Sequence, residues 1–233
     1  MISSDTGSFN LYKMAISKTN AVSVQSYNQQ SYSTSYDAGS GDGRVLIVII
    51  RNLYGVSNIK YNDVNLTLAQ SGGYIGMYYL IDPDEDSNTL YISFPNTSSN
   101  TAIYYYVLTG CHHSSPIGQK STLTDQNVQA GKTLTMNLNN CSKNSFIVNC
   151  GHDYWNGSYY DVTWDDDCLG KGSLNGYSSN FLLYSHKILS EDGTASIAYT
   201  VNDNGTHICS LLCLEILSAA TTPTFIPRTM WFN

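Results

Sequence analysis

From residue 44 to residue 217 the chain alternates short apolar runs with turn residues, and no stretch carries the 3.6-residue period of an amphipathic helix. Arg44-Val-Leu-Ile-Val-Ile-Ile50 is a continuous β-branched run of strand length, and 74–81, 103–108 and 208–216 repeat the theme. Val, Ile, Tyr and Thr suit a pleated, half-buried surface. The pattern predicts strands near 44–53, 57–60, 64–70, 74–82, 88–94, 101–109, 132–138, 144–151, 178–187, 195–201 and 207–217. Glu191-Asp-Gly-Thr194 and Asp203-Asn-Gly-Thr206 read as hairpin turns, because Gly and Asn accept positive φ at low cost. In the last run Ile208, Ser210, Leu212, Leu214 and Ile216 face one way, and Cys209, Leu211, Cys213 and Glu215 the other. Both rows are mostly apolar, which predicts a central strand. The fold class expected is all-β: one antiparallel β-sandwich of jelly-roll type over 21–217. An N-terminal arm, 1–20, precedes it and an extended C-terminal tail, 218–233, follows.

The tail differs in character. Pro223 and Pro227 favour an extended chain. Phe225, Ile226, Met230, Trp231 and Phe232 are too apolar for a free end, and two places suit them: their own domain or a neighbouring subunit.

Composition narrows the function classes. Charged residues are 12% of the 233, about half the usual share of roughly 25%. Tyr, Ser, Thr and Asn replace them, with 19 Tyr, so hydroxyls and amides do the solvating, as on exported and virion surfaces. The net charge of −7 and the scatter of 11 Lys and Arg argue against nucleic acid and against an anionic membrane as partners. No run approaches the ~18 apolar residues of a membrane span. Met1-Ile-Ser-Ser-Asp-Thr-Gly-Ser lacks the basic and apolar regions of a secretory signal. Release of assembled particles by lysis is a route out that needs none. The six Cys show no Cys-x-x-Cys spacing, and buried free thiols are expected.

One resemblance covers most of the chain. Gly41-Asp-Gly-Arg-Val-Leu-Ile-Val48, then Val56-Ser-Asn-Ile-Lys-Tyr-Asn-Asp-Val-Asn-Leu-Thr-Leu68, then Tyr78-Tyr-Leu-Ile-Asp-Pro83 and Leu108-Thr-Gly-Cys-His-His-Ser-Ser-Pro-Ile-Gly118 follow a recurring order of turn and core motifs. The order resembles that of β-sandwich domains in phage virion proteins and large secreted bacterial surface proteins. Asn62-Asp63 stands where the pattern has a Gly pair, and Cys111 where it has Val. The resemblance implies a sandwich fold and a role in adhesion, decoration or assembly, with no catalytic residue to carry over.

Candidate chemistry is sparse. Asp82-Pro-Asp-Glu-Asp86 begins like a calcium loop, but Ser87 and Ser93 stand where Gly and a bidentate Glu are needed, so it reads as an acidic turn. Trp155, Trp164, Asp165, Asp166 and Asp167 are the residues singled out for ligand binding, since rings beside carboxylates recur in sugar-binding loops. The same acids could hold a hard cation, or form a solvated loop. His112-His113 point opposite ways on an extended chain, and His152-Asp153 lacks a nucleophile in an activating context. No catalytic residue, metal site or cofactor is assigned. The expected function is a non-enzymatic virion structural protein, capsid-decorating or tail/fibre, partnered by other virion subunits and by further copies of itself. The alternative is a carbohydrate-binding or adhesive surface module that takes a surface glycan. A hydrolase using unrecognised Asp residues is a third.

Overall fold

The computed structural model describes residues 15–26, 29–52, 54–98, 101–129, 131–156, 162–165, 168–175, 180–202 and 206–219. They form strands and turns, with no helix among them. In the first half these are β1 (Ser17–Ser26), β2 (Gln29–Asp37), β3 (Val45–Arg51), β4 (Asn58–Tyr61), β5 (Val64–Asn65), β6 (Thr67–Gly72), β7 (Ile75–Ile81), β8 (Ser87–Ser98) and β9 (Thr101–Thr109). In the second they are β10 (Ile117–Gln129), β11 (Thr133–Cys141), β12 (Phe146–Asn156), β13 (Val162–Trp164), β14 (Leu169–Asn175), β15 (Asn180–Ile188), β16 (Gly193–Val201) and β17 (Thr206–Ile216).

The strands pair antiparallel into four sheets, ordered β1-β9-β3-β7-β6, β2-β8-β4-β5, β10-β17-β12-β15-β14 and β11-β16-β13. Three apolar layers hold these sheets as a four-deep stack. Leu46, Val48 and Ile50 of β3 meet Ile59, Leu90 and Ile92 across the first sandwich. Leu183, Leu211 and Cys213 meet Met136, Ile197 and Tyr199 across the second. The other faces of the two large sheets pack on each other, Val45, Ile47 and Ile49 against Phe146, Val148 and Leu214. Alternation explains why β3 reads as unbroken hydrophobic sequence: its odd positions serve one layer and its even positions the next. All seven of its residues are buried.

The strand orders of the two halves coincide when β1, β2, β3, β6, β7, β8 and β9 are matched to β10, β11, β12, β14, β15, β16 and β17. The register agrees as well. Val45 lies opposite Leu108 and Ile81, as Phe146 lies opposite Ile216 and Ile188. Beyond these rungs Asp82 N–H donates to Arg44 O at 2.8 Å, as Leu189 N–H donates to Ser145 O at 3.1 Å. Contacts between the halves are reciprocal: β1 lies by β14 as β10 lies by β6, and β9 by β15 as β17 by β7. The chain is therefore a pseudo-two-fold pair of sandwiches with equivalent faces together, the geometry of an isologous dimer.

Sequence and structure differ at four points. The pattern predicts one sandwich over 21–217, whereas two stand on either side of a short link near 112–116. The Glu191–Thr194 and Asp203–Thr206 signals predict hairpins, yet β15, β16 and β17 do not pair in that order: β16 lies in a different sheet from β15 and β17, and residues 203–205 lie outside the described residues. A turn residue licenses reversal but does not choose the strand's next partner. Residues 17–20 of the expected N-terminal arm belong to β1, which pairs with β9. Finally, β1, β2, β10, β13 and β14 fall where no strand is predicted. Four of them are polar edge strands with at least one face in water, so their Ser, Gln and Thr give little apolar signal. The Asn62-Asp63 substitution is accommodated: both residues take positive φ, 46° and 61°, in a two-residue turn that pairs Tyr61 with Val64.

Candidate functional site

Of the residues predicted to bind a ligand, Trp164, Asp165 and the backbone of Trp155 lie among the described residues. Trp164 on β13 is buried in the second core, its ring 5.5 Å from that of Tyr199. Asp165 closes the turn after it, with its N–H donating to Ala198 O and its carbonyl accepting from Cys168 N–H. Trp155 lies on β12, opposite His207 and in a different sheet from Trp164. Its side chain lies outside the described residues, as do Asp166 and Asp167 and all five apolar tail residues, Phe225, Ile226, Met230, Trp231 and Phe232. A groove of about 320 Å³ does open beside Trp164, lined also by Val162, Thr163, Lys171, Gly172 and Ser173. The acidic segment at 82–86 is a turn: Asn62 Nδ2 donates to Asp84 Oδ2 at 2.5 Å, and Arg44 reaches Glu85 at 3.6 Å.

The structure instead assembles a cluster that the chain order conceals. Strands β12 and β17 are neighbours, and Asp153 lies directly opposite Cys209. His207 follows the alternation of Cys209, Leu211 and Cys213, so it shares their face. His207 Nδ1 is 2.9 Å from each carboxylate oxygen of Asp153. One ligand-type atom from each of Asp153, His207 and Cys209 lies within 4.8 Å of the others. All three residues have a relative exposure of 0%. His152, the histidine adjacent to Asp153 in sequence, points the other way, where its ring meets that of Tyr74 edge-on at 5.1 Å.

Two further polar groups lie in the second core. Glu215 is 1% exposed and accepts from Gln119 N–H at 2.9 Å, Ser142 N–H at 2.6 Å and Ser145 Oγ–H at 2.8 Å. A carboxylate with three donors is well satisfied in a core, and this one ties the start of β10 to the β11–β12 turn. Cys213 Sγ–H donates to Asn149 Oδ1 at 3.2 Å, and Asn149 Nδ2 donates to Ser185 Oγ at 3.1 Å. All six cysteines are buried and free. Burial pushes the Cys111 thiol up to about 12 and holds the Cys150 and Cys213 thiols well above their ordinary range, so these remain protonated and unreactive.

A second cluster latches the two sandwiches together. Tyr104 of β9 stacks on Tyr184 of β15 at 3.9 Å, and Phe146 stacks on His186 at 4.6 Å. Lys18 Nζ donates to Tyr104 Oη at 3.2 Å and lies 5.4 Å from the centre of the Tyr106 ring. Burial, with Lys18 nearby, lowers His186 from 6.5 to about 4.

Against known proteins, no family model matches the chain, and neither a curated protein nor a solved structure matches it.

Proposed function

We propose that this chain is a non-enzymatic structural component of a virion, capsid-decorating or part of a tail or fibre. Its partners are other virion subunits, including further copies of itself. One observation carries this reading: the Asp153–His207–Cys209 cluster and Glu215 are sealed inside sheet packing. Asp153, His207, Cys209 and Glu215 have no more than 1% exposure, where no substrate reaches them. The outward faces carry hydroxyls instead, as in Gln-Gln-Ser-Tyr-Ser-Thr-Ser-Tyr-Asp of β2, which is exposed along most of its length. A stack of sheets joined by three buried layers is stiff and suits a building block. Assembly would run through edge strands and the apolar segment around Phe225 and Trp231.

The test is the mass of the full chain beside a chain ending at Ala219, read by light scattering at micromolar concentration. The full chain should associate and the shortened one should not. A full chain that is monomeric, and a shortened chain that still enters particles, would both count against the proposal.

A second reading, a glycan-binding or adhesive module, is favoured by the groove beside Trp164. A glycan array separates the two: saccharide binding that Lys171→Ala removes would favour adhesion.

A further inference from the structure

We propose that Asp153, His207 and Cys209 form a structural binding site for one divalent transition-metal ion, zinc foremost, inside the second sandwich. The donor set comes first. An imidazole nitrogen, a thiolate sulfur and a carboxylate oxygen are the three ligand types that zinc combines, at roughly 2.0–2.3 Å from the metal. Ligands at those lengths around a tetrahedron are ~3.3–3.8 Å apart, and here the three candidate atoms already lie within 4.8 Å of one another. Three protein ligands leave a fourth place for a water molecule.

Charge is the second argument. Asp153 and His207 sit 2.9 Å apart at 0% exposure, so the buried carboxylate faces an imidazole that compensates it when protonated, and a bound cation would take over that compensation. A divalent ion bound by one carboxylate, one thiolate and one neutral imidazole gives a centre of zero net charge, which a core tolerates.

The third argument comes from the internal duplication. In the first sandwich the places of Asp153 and Cys209 are held by Asn52 and Thr101, from the register that sets Arg51 opposite Ala102 and His152 opposite Ser210. There the need is met without ionisable groups: Asn52 Nδ2 donates to Thr101 Oγ at 2.7 Å, with both residues buried. The fold therefore does not require an acid and a thiol at these two places. Access is local, because His207 is the second residue of β17 and Asp153 stands three before the end of β12. Opening the last rungs of that ladder would admit an ion.

The experiment uses the full chain, purified without chelator. Elemental analysis should find about one zinc per chain. Titration of the metal-free protein with cobalt(II) should give the visible bands of a tetrahedral site together with a thiolate-to-cobalt charge-transfer band, saturating at one equivalent. Zinc should raise the thermal midpoint, and a chelator should reverse the rise. Cys209→Ser should lose the charge-transfer band and His207→Gln should lose binding, whereas Cys111→Ala should keep both. Wild-type protein with no bound metal and no cobalt spectrum would overturn the proposal. So would a charge-transfer band that survives Cys209→Ser. Neither of those results depends on a variant that has failed to fold: the first needs no variant, and the second is itself a sign of an ordered site.

Discussion

The two sandwiches share strand order and register, yet their inner faces are chemically unlike. Where the first packs Val48, Tyr78, Tyr105 and Val107, the second places Asn149, Ser185, Cys213 and Glu215. The first core closes by bulk, with Tyr36 set edge-on to Tyr105 at 4.8 Å, and Tyr61 Oη–H reaching Tyr36 O at 3.0 Å. The second closes partly by hydrogen bonds between short polar groups and by thiols. One topology thus accepts either solution. The difference is concentrated on the inner faces. The faces that meet between the sandwiches are mostly apolar on both sides, with Lys18, Tyr184 and His186 among the exceptions.

The largest expected effect comes from separating the halves. A chain ending at His113 presents the face carrying Ile47, Ile49 and Tyr104 to water. Since equivalent faces pack together in the intact protein, this fragment should form a homodimer of itself, seen as twice its mass in sedimentation. A soluble monomer would break the claim of isologous packing.

Next in size is an exchange at one equivalent position. Val107→Glu puts a carboxylate where no donors are arranged, and should cost about 4 kcal/mol in urea unfolding. Glu215→Val leaves the Gln119 and Ser142 N–H groups and the Ser145 hydroxyl without their acceptor, and should cost about 3 kcal/mol. Equal, small effects from both exchanges would mean that the two cores are less distinct than their hydrogen bonds imply.

The smallest effect is a pH dependence. His186 takes the place of Tyr79 and is held neutral by burial, its value lowered from 6.5 to about 4. Between those limits the unfolded chain binds more protons than the folded one, so this site favours folding above pH 6.5. That contribution is lost as pH falls toward 4. Water reaches the half-buried ring and holds the contribution to about 1 kcal/mol. His186→Tyr, which makes the halves alike here, should flatten that part of the stability profile. An unchanged slope would place the pH response elsewhere.

Much of the architecture was legible because its signal is local. The run at 44–50 reads as a strand from its β-branched residues, and the alternation at 207–217 places Cys209, Cys213 and Glu215 on one face. The polar strands were not legible. β1 and β10 owe their conformation to pairing with β9 and β17, and their Ser, Thr and Gln record no burial that would announce it. The Trp164 side chain illustrates the converse. An aromatic next to acids resembles a sugar platform, and in the fold Trp164 packs against Tyr199 while lining a groove with Lys171. His207 and Asp153 are 54 residues apart in the chain, so no motif could join them.

By itself the sequence determined the class of the molecule: strands throughout, low charge, a hydroxyl-rich exterior, thiols kept inside. These follow from side-chain chemistry and a two-residue period, which act over a few positions. Only the tertiary structure decided that the strands divide into two matched sandwiches and that an acid, an imidazole and a thiol meet in one of them. The reason is that β pairing is non-local. Which strand lies beside which is set by the summed fit of whole faces, and no short stretch of chain contains that sum.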